Sequence, residues 1–261
     1  MLSYTSVHLD AAPGSENIVL LLHAFPLSSR MWEPQLSALE AEGIPAIAPD
    51  VFGVGNSEPR NNWSLSEYVD AVASLLSSLE ISNVTLVGLS MGGYQAFAWW
   101  KMFPQTVTSL ILCDTRAEQD SPEALANRRD FIDAVRKNGP AEAVDRMLPI
   151  VFAEETYASG THVTDVFRDI VMRQSGATIV SAMGAIASRN DSIDLLPSIT
   201  CPVTFICGTE DKLTPPSLAE SMQKKVPGST LHLIENAGHL SNMEQPERFN
   251  AIVLEHLGRK R

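Results

Sequence analysis

The chain has 261 residues, of which 44% are hydrophobic and 19% charged. This length is sufficient for one sizeable folded domain with a modest insertion, and the composition excludes global disorder. Its 31 acidic and 19 basic residues give a formal net charge of −12, which argues against a nucleic-acid-binding surface and mildly against binding to an anionic membrane. The sequence shows no basic leader followed by an apolar run and no apolar stretch of about 18 residues, so we expect a cytoplasmic protein that does not enter a membrane.

The first half of the chain alternates between strand and helix patterns. Residues 3–9 alternate weakly and predict an edge strand, whereas residues 17–23 form a continuous apolar run that is typical of a parallel strand buried on both faces. Further strands are expected at 44–49, 84–88 and 107–113, and helices at 32–42, 66–80 (with Ser64 or Ser66 as N-cap) and 94–103. This alternation predicts a parallel sheet with right-handed crossovers.

The alternation stops at Asp114, and residues 116–196 contain no convincing strand pattern. Ser121 followed by Pro122 is typical of a helix start, and helical patterns recur through about residue 187. We therefore expect a helical cap over residues 116–196 and a core made of residues 1–115 and 197–261. Within that core the sheet is expected to resume with strands at 203–207 and 231–234 and helices at 216–225 and 246–257. The cysteines Cys113, Cys201 and Cys207 lie in or beside strand patterns without metal-ligand spacing, so we interpret them as reduced core thiols.

A serine lies between two glycines in the turn between the strand at 84–88 and the following helix, in the segment Gly88-Leu89-Ser90-Met91-Gly92. Gly-x-Ser-x-Gly between a strand and a helix is the pattern of a nucleophile elbow, in which a sharp turn exposes the serine hydroxyl at the carboxyl edge of a sheet. Glycines two residues to either side allow the strand and the helix to approach each other closely. The pattern predicts Ser90 as a nucleophile.

A serine nucleophile needs a histidine base, and the histidine needs a carboxylate. Of the six histidines, His239 lies just past the last predicted strand, at the same edge of the sheet as Ser90. Asp211 follows the strand at 203–207 and is the favoured acid. Asp114, at the end of an earlier strand, and Glu210, beside Asp211, remain alternatives.

The oxyanion formed in acyl transfer needs two hydrogen-bond donors. We expect these to be the backbone N–H of Met91 and that of Phe25, since Pro26 has no N–H to donate. No metal or cofactor is required by this chemistry. The substrate pocket is expected to be lined by Phe25, Met147, Ile150, Val151, Phe152 and Leu240.

The chain resembles the α/β-hydrolase superfamily over nearly its whole length. The motifs that carry the resemblance are His23-Ala24-Phe25-Pro26, Asp50-Val51-Phe52-Gly53-Val54-Gly55-Asn56-Ser57, Gly88-Leu89-Ser90-Met91-Gly92-Gly93, Pro104-Gln105-Thr106-Val107 with Leu110-Ile111-Leu112, Gly208-Thr209-Glu210-Asp211 with Thr214-Pro215, and Gly238-His239 with Glu244-Gln245-Pro246-Glu247. The resemblance implies an α/β fold with a mostly parallel central sheet flanked by helices, and a helical cap inserted after the sixth strand. The chain departs from the superfamily pattern at Ala24, which replaces a usual glycine, and at Phe52, which replaces a frequent arginine.

Within the superfamily, the elbow and the short cap look most like 3-oxoadipate enol-lactonases and small carboxylesterases. The resemblance implies hydrolysis of a small-molecule ester or lactone through an acyl-enzyme. The acidic net charge leads us to expect no nucleic-acid or membrane partner, and no oligomeric state is predicted. A carbon–carbon bond hydrolase or a cofactor-free perhydrolase on the same residues is an alternative. A ligand-binding receptor with this fold and little turnover is an alternative of another class.

Overall fold

Seven strands form a single sheet in the computed structural model, which describes residues 1–9 and 17–258. The strands are β1 (Tyr4–Val7), β2 (Ile18–Leu22), β3 (Ala46–Pro49), β4 (Val84–Leu89), β5 (Val107–Cys113), β6 (Val203–Gly208) and β7 (Thr230–Ile234). Their order across the sheet is β1-β3-β2-β4-β5-β6-β7. β1 runs antiparallel to β3, and all other neighbouring strands are parallel. The predicted mostly parallel α/β fold is confirmed.

The burial of each strand explains its place in the sheet. Every residue of β2, β3, β4 and β6 is buried, as their nearly continuous apolar sequences require of strands covered by helices on both faces. β1 and β7 form the two edges and are largely exposed or half-buried. The weak alternation of residues 3–9 therefore marks an edge strand, as expected.

Eleven α-helices lie in the described part of the chain. They are α1 (Glu33–Ala41), α2 (Leu65–Ser78), α3 (Met91–Met102), α4 (Pro122–Asn138), α5 (Pro140–Val151), α6 (Glu154–Ser159), α7 (His162–Met172), α8 (Gly176–Ala187), α9 (Pro216–Gln223), α10 (Ser241–Glu244) and α11 (Pro246–His256). Ser64 is the N-cap of α2, where its side chain and that of Glu67 form a capping box. Ser121 caps α4 by accepting a hydrogen bond from the Ala124 N–H, as its position before Pro122 predicts.

The helical pattern at residues 163–187 is divided between α7 and α8. The Ser175 side chain accepts a hydrogen bond from the Thr178 N–H and so begins a new helix where the sequence periodicity alone suggested a continuous one. Within the described residues, no single helix combines the length and the apolar character of a membrane span. Only α7 and α8 taken together, with a bend of 100° between them, meet that test.

Helices α4 to α8 all lie between β5 and β6 in the chain. This segment follows the fifth strand of the described residues, so the expectation that it follows a sixth strand is wrong. In those residues only one strand, β1, precedes the first buried strand, β2. The segment is fastened to the loop after β2, where the Gln174 side-chain amide donates to the Pro26 carbonyl at 2.5 Å and Arg30 pairs with Asp169 at 2.5 Å. The limits of a separate cap at residues 116 and 196 stay a prediction.

Candidate active site

Ser90 occupies a sharp turn between β4 and α3. Its backbone has φ 56° and ψ −112°, a conformation that side chains rarely adopt. A Cβ atom on Gly88 would collide with the Gly92 carbonyl, and one on Gly92 would collide with the Leu22 carbonyl. The turn is therefore possible only with glycine at both positions. The backbone N–H of Ser90 donates to the carbonyl of Cys113 in β5 at 3.0 Å, which ties the turn to the neighbouring strand.

His239 lies between Ser90 and Asp211. Its Nε2 is 2.7 Å from the Ser90 Oγ, and its Nδ1 is 2.8 Å from the Asp211 Oδ2. His239 and Asp211 are buried, with 2% and 4% of their surfaces exposed. The three residues come from the loops that follow β4, β6 and β7, so the carboxyl edge of the parallel sheet brings them together.

The loop after β6 holds the Asp211 carboxylate with three hydrogen bonds besides the contact to His239. Oδ1 accepts from the backbone N–H groups of Leu213 and Thr214 at 2.8 and 2.9 Å, and Oδ2 accepts from the Thr214 hydroxyl at 2.6 Å. Burial raises the pKa of Asp211, but the charge of His239 and these hydrogen bonds outweigh burial and lower the pKa below its ordinary value. Asp211 is thus held ionised and fixed in orientation.

Neither alternative acid contacts His239. Asp114 accepts hydrogen bonds from the Gly208 N–H at 2.8 Å and from the Ser241 hydroxyl at 2.5 Å. Burial, together with the nearby charge of Asp211, raises the pKa of Asp114 to about 8, so this carboxyl is protonated at neutral pH. Glu210 accepts a hydrogen bond from the Glu154 N–H at 3.2 Å and so points toward α6.

The histidine loop is held by the end of α5. The backbone N–H groups of His239 and Leu240 both donate to the Val151 carbonyl, at 2.9 and 3.2 Å. The Glu244 carboxylate accepts from the N–H groups of Gly238 and Ala153, at 2.7 and 2.9 Å. The helical segment therefore helps to position the histidine as well as covering it. The sequence places Glu244 in the motif around His239 but assigns it no role, and a carboxylate five residues after His239 is the signal that could have identified it.

Of the two residues whose backbone N–H groups are expected to bind an oxyanion, Met91 directly follows Ser90, and Phe25 lines the same cavity as Ser90. Met91 is the first residue of α3, so its N–H belongs to the helix end that has no acceptor within the helix. Phe25 lies in the turn after β2, which is closed by a hydrogen bond from the Leu27 N–H to the Ala24 carbonyl at 2.9 Å. Ala24 is not among the described residues with positive φ, so this turn accommodates its Cβ.

A cavity of about 330 Å³ opens at Ser90 and His239, and three of the expected pocket residues line it: Phe25, Met147 and Ile150. Val151, Phe152 and Leu240 do not line it, and the prediction for these three residues is wrong. Val151 and Leu240 are fully buried, and their backbones bond to each other. The Phe152 ring packs edge-on against Phe167, with centroids 5.8 Å apart. Apolar periodicity identified the buried face of α5 without showing which neighbour covers it.

Most of the cavity wall was not predicted. The additional lining residues are Tyr94, Arg116, Ala124, Asn127, Arg128, Phe131, Met183, Ile186, Lys212, Leu213 and Thr214. Many of them belong to α4 and α8, which pack together over the edge of the sheet. No local pattern in the sequence identifies them, because the docking of these helices decides which side chains face Ser90.

Among the described residues, one group of side chains has the donor atoms that a metal ion would need. The ligand atoms of Asp114, Cys207 and Asp211 lie within 4.8 Å of one another. Burial and the adjacent carboxylates raise the pKa of the Cys207 thiol well above its ordinary value, whereas a metal needs the thiolate. Because both oxygens of Asp211 are already occupied by hydrogen-bond donors, we assign this cluster no metal.

The structure is similar to those of known enzymes. A thermophilic esterase from Thermogutta terrifontis, solved with malate bound, is 36% identical, with a TM-score of 0.90 over 98% of this chain and 93% of that chain. The enol-lactonase from Burkholderia xenovorans has a TM-score of 0.86 over 99% of this chain and 96% of its own, and at 24% identity this likeness shows the fold alone.

A relative found by sequence has a different recorded activity. It is a 2-hydroxy-6-oxononadienedioate/2-hydroxy-6-oxononatrienedioate hydrolase from a Pseudomonas species, 24% identical over 97% of this chain and 92% of that protein. The family model described as the Alpha/beta hydrolase family matches residues 19–252, which is most of the chain. Together with the parallel sheet and the serine turn at the carboxyl end of β4, this match shows that the chain belongs to the alpha/beta hydrolase family.

Proposed function

We propose that this hydrolase cleaves carboxylic esters or lactones through a Ser-His-Asp triad and an acyl-enzyme, as a 3-oxoadipate enol-lactonase or a small carboxylesterase does. The observation that carries the proposal is the continuous contact from Ser90 through His239 to Asp211, at 2.7 and 2.8 Å. Ser90 and His239 line a cavity that is large enough for a small organic molecule.

In the acylation step, Ser90 attacks the substrate carbonyl while His239 Nε2 takes up the hydroxyl proton. Asp211 keeps the other ring nitrogen protonated and stabilises the imidazolium that forms. The N–H groups of Met91 and Phe25 bind the tetrahedral oxyanion, and loss of one such donor typically costs about 3 kcal/mol of barrier height.

The alcohol leaves when His239 returns the proton to its oxygen. Water then enters the cavity, gives a proton to His239 and attacks the acyl-enzyme carbonyl. The second tetrahedral intermediate collapses, the proton returns to Ser90, and the carboxylic acid product is released. Apart from the substrate and water, this cycle uses only side chains and backbone groups of the chain itself.

Labelling with a fluorophosphonate probe combined with turnover of p-nitrophenyl acetate, p-nitrophenyl butyrate and a panel of small lactones tests the proposal. We expect stoichiometric labelling and steady-state release of product. A receptor with this fold would show negligible steady-state turnover. Absence of both labelling and turnover on the whole panel would overturn the proposal.

The pH dependence of the reaction should report the His239 base. Burial lowers the pKa of His239, but Asp211 opposes this effect and leaves the pKa above its ordinary value of 6.5. The base must be unprotonated, so kcat/KM should increase as pH rises through this raised pKa, with the midpoint of the acid limb above 6.5. The measurement is kcat/KM for an uncharged ester between about pH 5 and pH 9, and a midpoint below 6.5 would contradict the assignment of this base.

A further inference from the structure

The catalytic cavity is positively charged although the chain as a whole carries a formal net charge of −12. Arg116, Arg128 and Lys212 line the cavity, and no aspartate or glutamate is among the described residues that line it. A low-dielectric cleft lined by charges of one sign concentrates counter-ions of the other sign. The charge at the cavity therefore favours an anionic ligand, contrary to the charge of the chain overall.

The charge comes mainly from a cluster of three arginines around one carboxylate. Arg116, Arg128 and Arg189 reach the side chain of Asp120 at 2.5, 2.5 and 2.8 Å. The Asp120 side chain is only 1% exposed, and this burial raises the pKa of its carboxyl group. The hydrogen bonds from Arg128 and Arg189 outweigh burial and hold the pKa well below its ordinary value. In the described residues these arginines pair with no other carboxylate, so one negative charge faces three positive charges.

The three arginines differ in whether they line the catalytic cavity. Arg189 is almost fully buried, is not among the residues that line the catalytic cavity, and donates to Asp120 and to the carbonyls of Glu118 and Ile186. Its guanidinium lies 4.2 Å from the ring centroid of Tyr94. The Nε of Arg189 is buried without a hydrogen-bond partner among the described residues, but Arg189 is not part of the cavity wall, and it holds the cluster together from inside the protein.

Arg116 and Arg128 line the catalytic cavity, and each has a donor that no strong acceptor among the described residues uses. The Nε of Arg116 is buried and has no hydrogen-bond partner among the described residues. Besides Asp120, the guanidinium of Arg128 donates only to the Met183 sulfur at 3.2 Å, and a thioether is a weak acceptor. Buried guanidinium N–H groups without strong acceptors are costly, and a carboxylate is the acceptor that best fits the planar fork of arginine.

We propose that the substrate carries a carboxylate in addition to its ester or lactone group, and that Arg116 and Arg128 bind this carboxylate while the reacting carbonyl meets Ser90. The inference rests on the proposed function and narrows its substrate class to anionic esters or lactones. Lys212, which lies on the exposed part of the cavity wall, adds to the attraction of the anion. Arg116 and Arg128 determine specificity and take no part in bond breaking.

The test compares esters that differ only in charge. Monomethyl glutarate and dimethyl glutarate place a carboxylate or a neutral ester on the acyl side, and 4-acetoxybutanoate and its methyl ester do so on the alcohol side. For the wild type we expect kcat/KM to favour the anion by about tenfold or more in at least one pair. Raising the salt concentration from about 0.02 to 0.5 M should reduce kcat/KM for that anion and leave the neutral ester unaffected.

Variants at neighbouring positions of α4 assign the preference to Arg128. Arg128→Met should reduce the preference to about one, mainly through a higher KM for the anion, and Arg128→Lys should restore part of it. Arg129→Met is the matched control, because Arg129 is exposed, adjacent in sequence and not among the cavity-lining residues. It should leave the preference unchanged. Arg116→Met is the second variant in which the preference for the anion is measured. Circular dichroism and thermal unfolding check that each variant is folded.

The result that overturns the inference is a wild type that hydrolyses the neutral ester of both pairs as well as or better than the anion. A preference that survives in both Arg128→Met and Arg116→Met also overturns it. Failure of the proposed function has a different signature, because then no ester is hydrolysed and the fluorophosphonate probe does not label Ser90.

Discussion

Ser90→Ala is expected to abolish labelling by the fluorophosphonate probe and to reduce kcat for esters by about 10⁴- to 10⁶-fold. The reason is that, among the described residues, the Ser90 Oγ is the hydroxyl that contacts His239 Nε2, at 2.7 Å, and Ser90 lines the cavity. The residual rate should come from the oxyanion donors and from substrate binding alone. The fold should persist, because removal of one hydroxyl leaves the glycine-supported turn intact.

Ser74→Ala is the matched control for this variant. Ser74 is an exposed serine of α2 whose hydroxyl donates to the Asp70 carbonyl, and it is not among the residues that line the cavity. Labelling and turnover should equal those of the wild type. Turnover by Ser90→Ala within about tenfold of the wild-type rate would refute the mechanism, since the chemical step would then not depend on this nucleophile.

Asp211→Asn is expected to reduce kcat by about 10⁴-fold at neutral pH. An amide at this position no longer accepts the Nδ1 proton in the same way and no longer stabilises the imidazolium, so His239 loses both its orientation and its raised pKa. Steady-state kinetics on a neutral ester measure the loss. The acid limb of the pH profile should also move to lower pH in this variant.

The two other carboxylates supply the comparison. Asp114→Asn should cost less than about tenfold at pH 7, because asparagine resembles the protonated acid that burial imposes on Asp114. Glu210→Gln should also have little effect, since Glu210 bonds to the Glu154 N–H and not to the histidine. A larger loss in either variant than in Asp211→Asn would show that the wrong acid has been assigned.

The sequence alone determined the features that depend on local chemistry and on strand ends. Glycines at 88 and 92 specify the turn at Ser90 because any Cβ there collides with a backbone carbonyl. The alternation of buried strands and helices implies parallel pairing, and parallel strands bring the loops after β4, β6 and β7 to one edge. Position at that edge was sufficient to single out His239 and to favour Asp211.

Tertiary structure decided between the carboxylates. Asp114 and Asp211 both follow buried strands, and no sequence pattern shows which one reaches the histidine. The loop after β6 turns the Asp211 carboxylate toward His239 with hydrogen bonds from Leu213 and Thr214, whereas Ser241 and Gly208 engage Asp114.

Tertiary structure also decided the walls and the charge of the cavity. Helical periodicity shows which face of α5 is apolar, but Phe152 contacts Phe167 rather than the cavity because α7 packs against α5. Arg189 joins Arg116 and Arg128 at one buried aspartate only when α8 folds back beside α4. These contacts join residues far apart in the chain, and their free energy depends on packing that local sequence patterns do not encode.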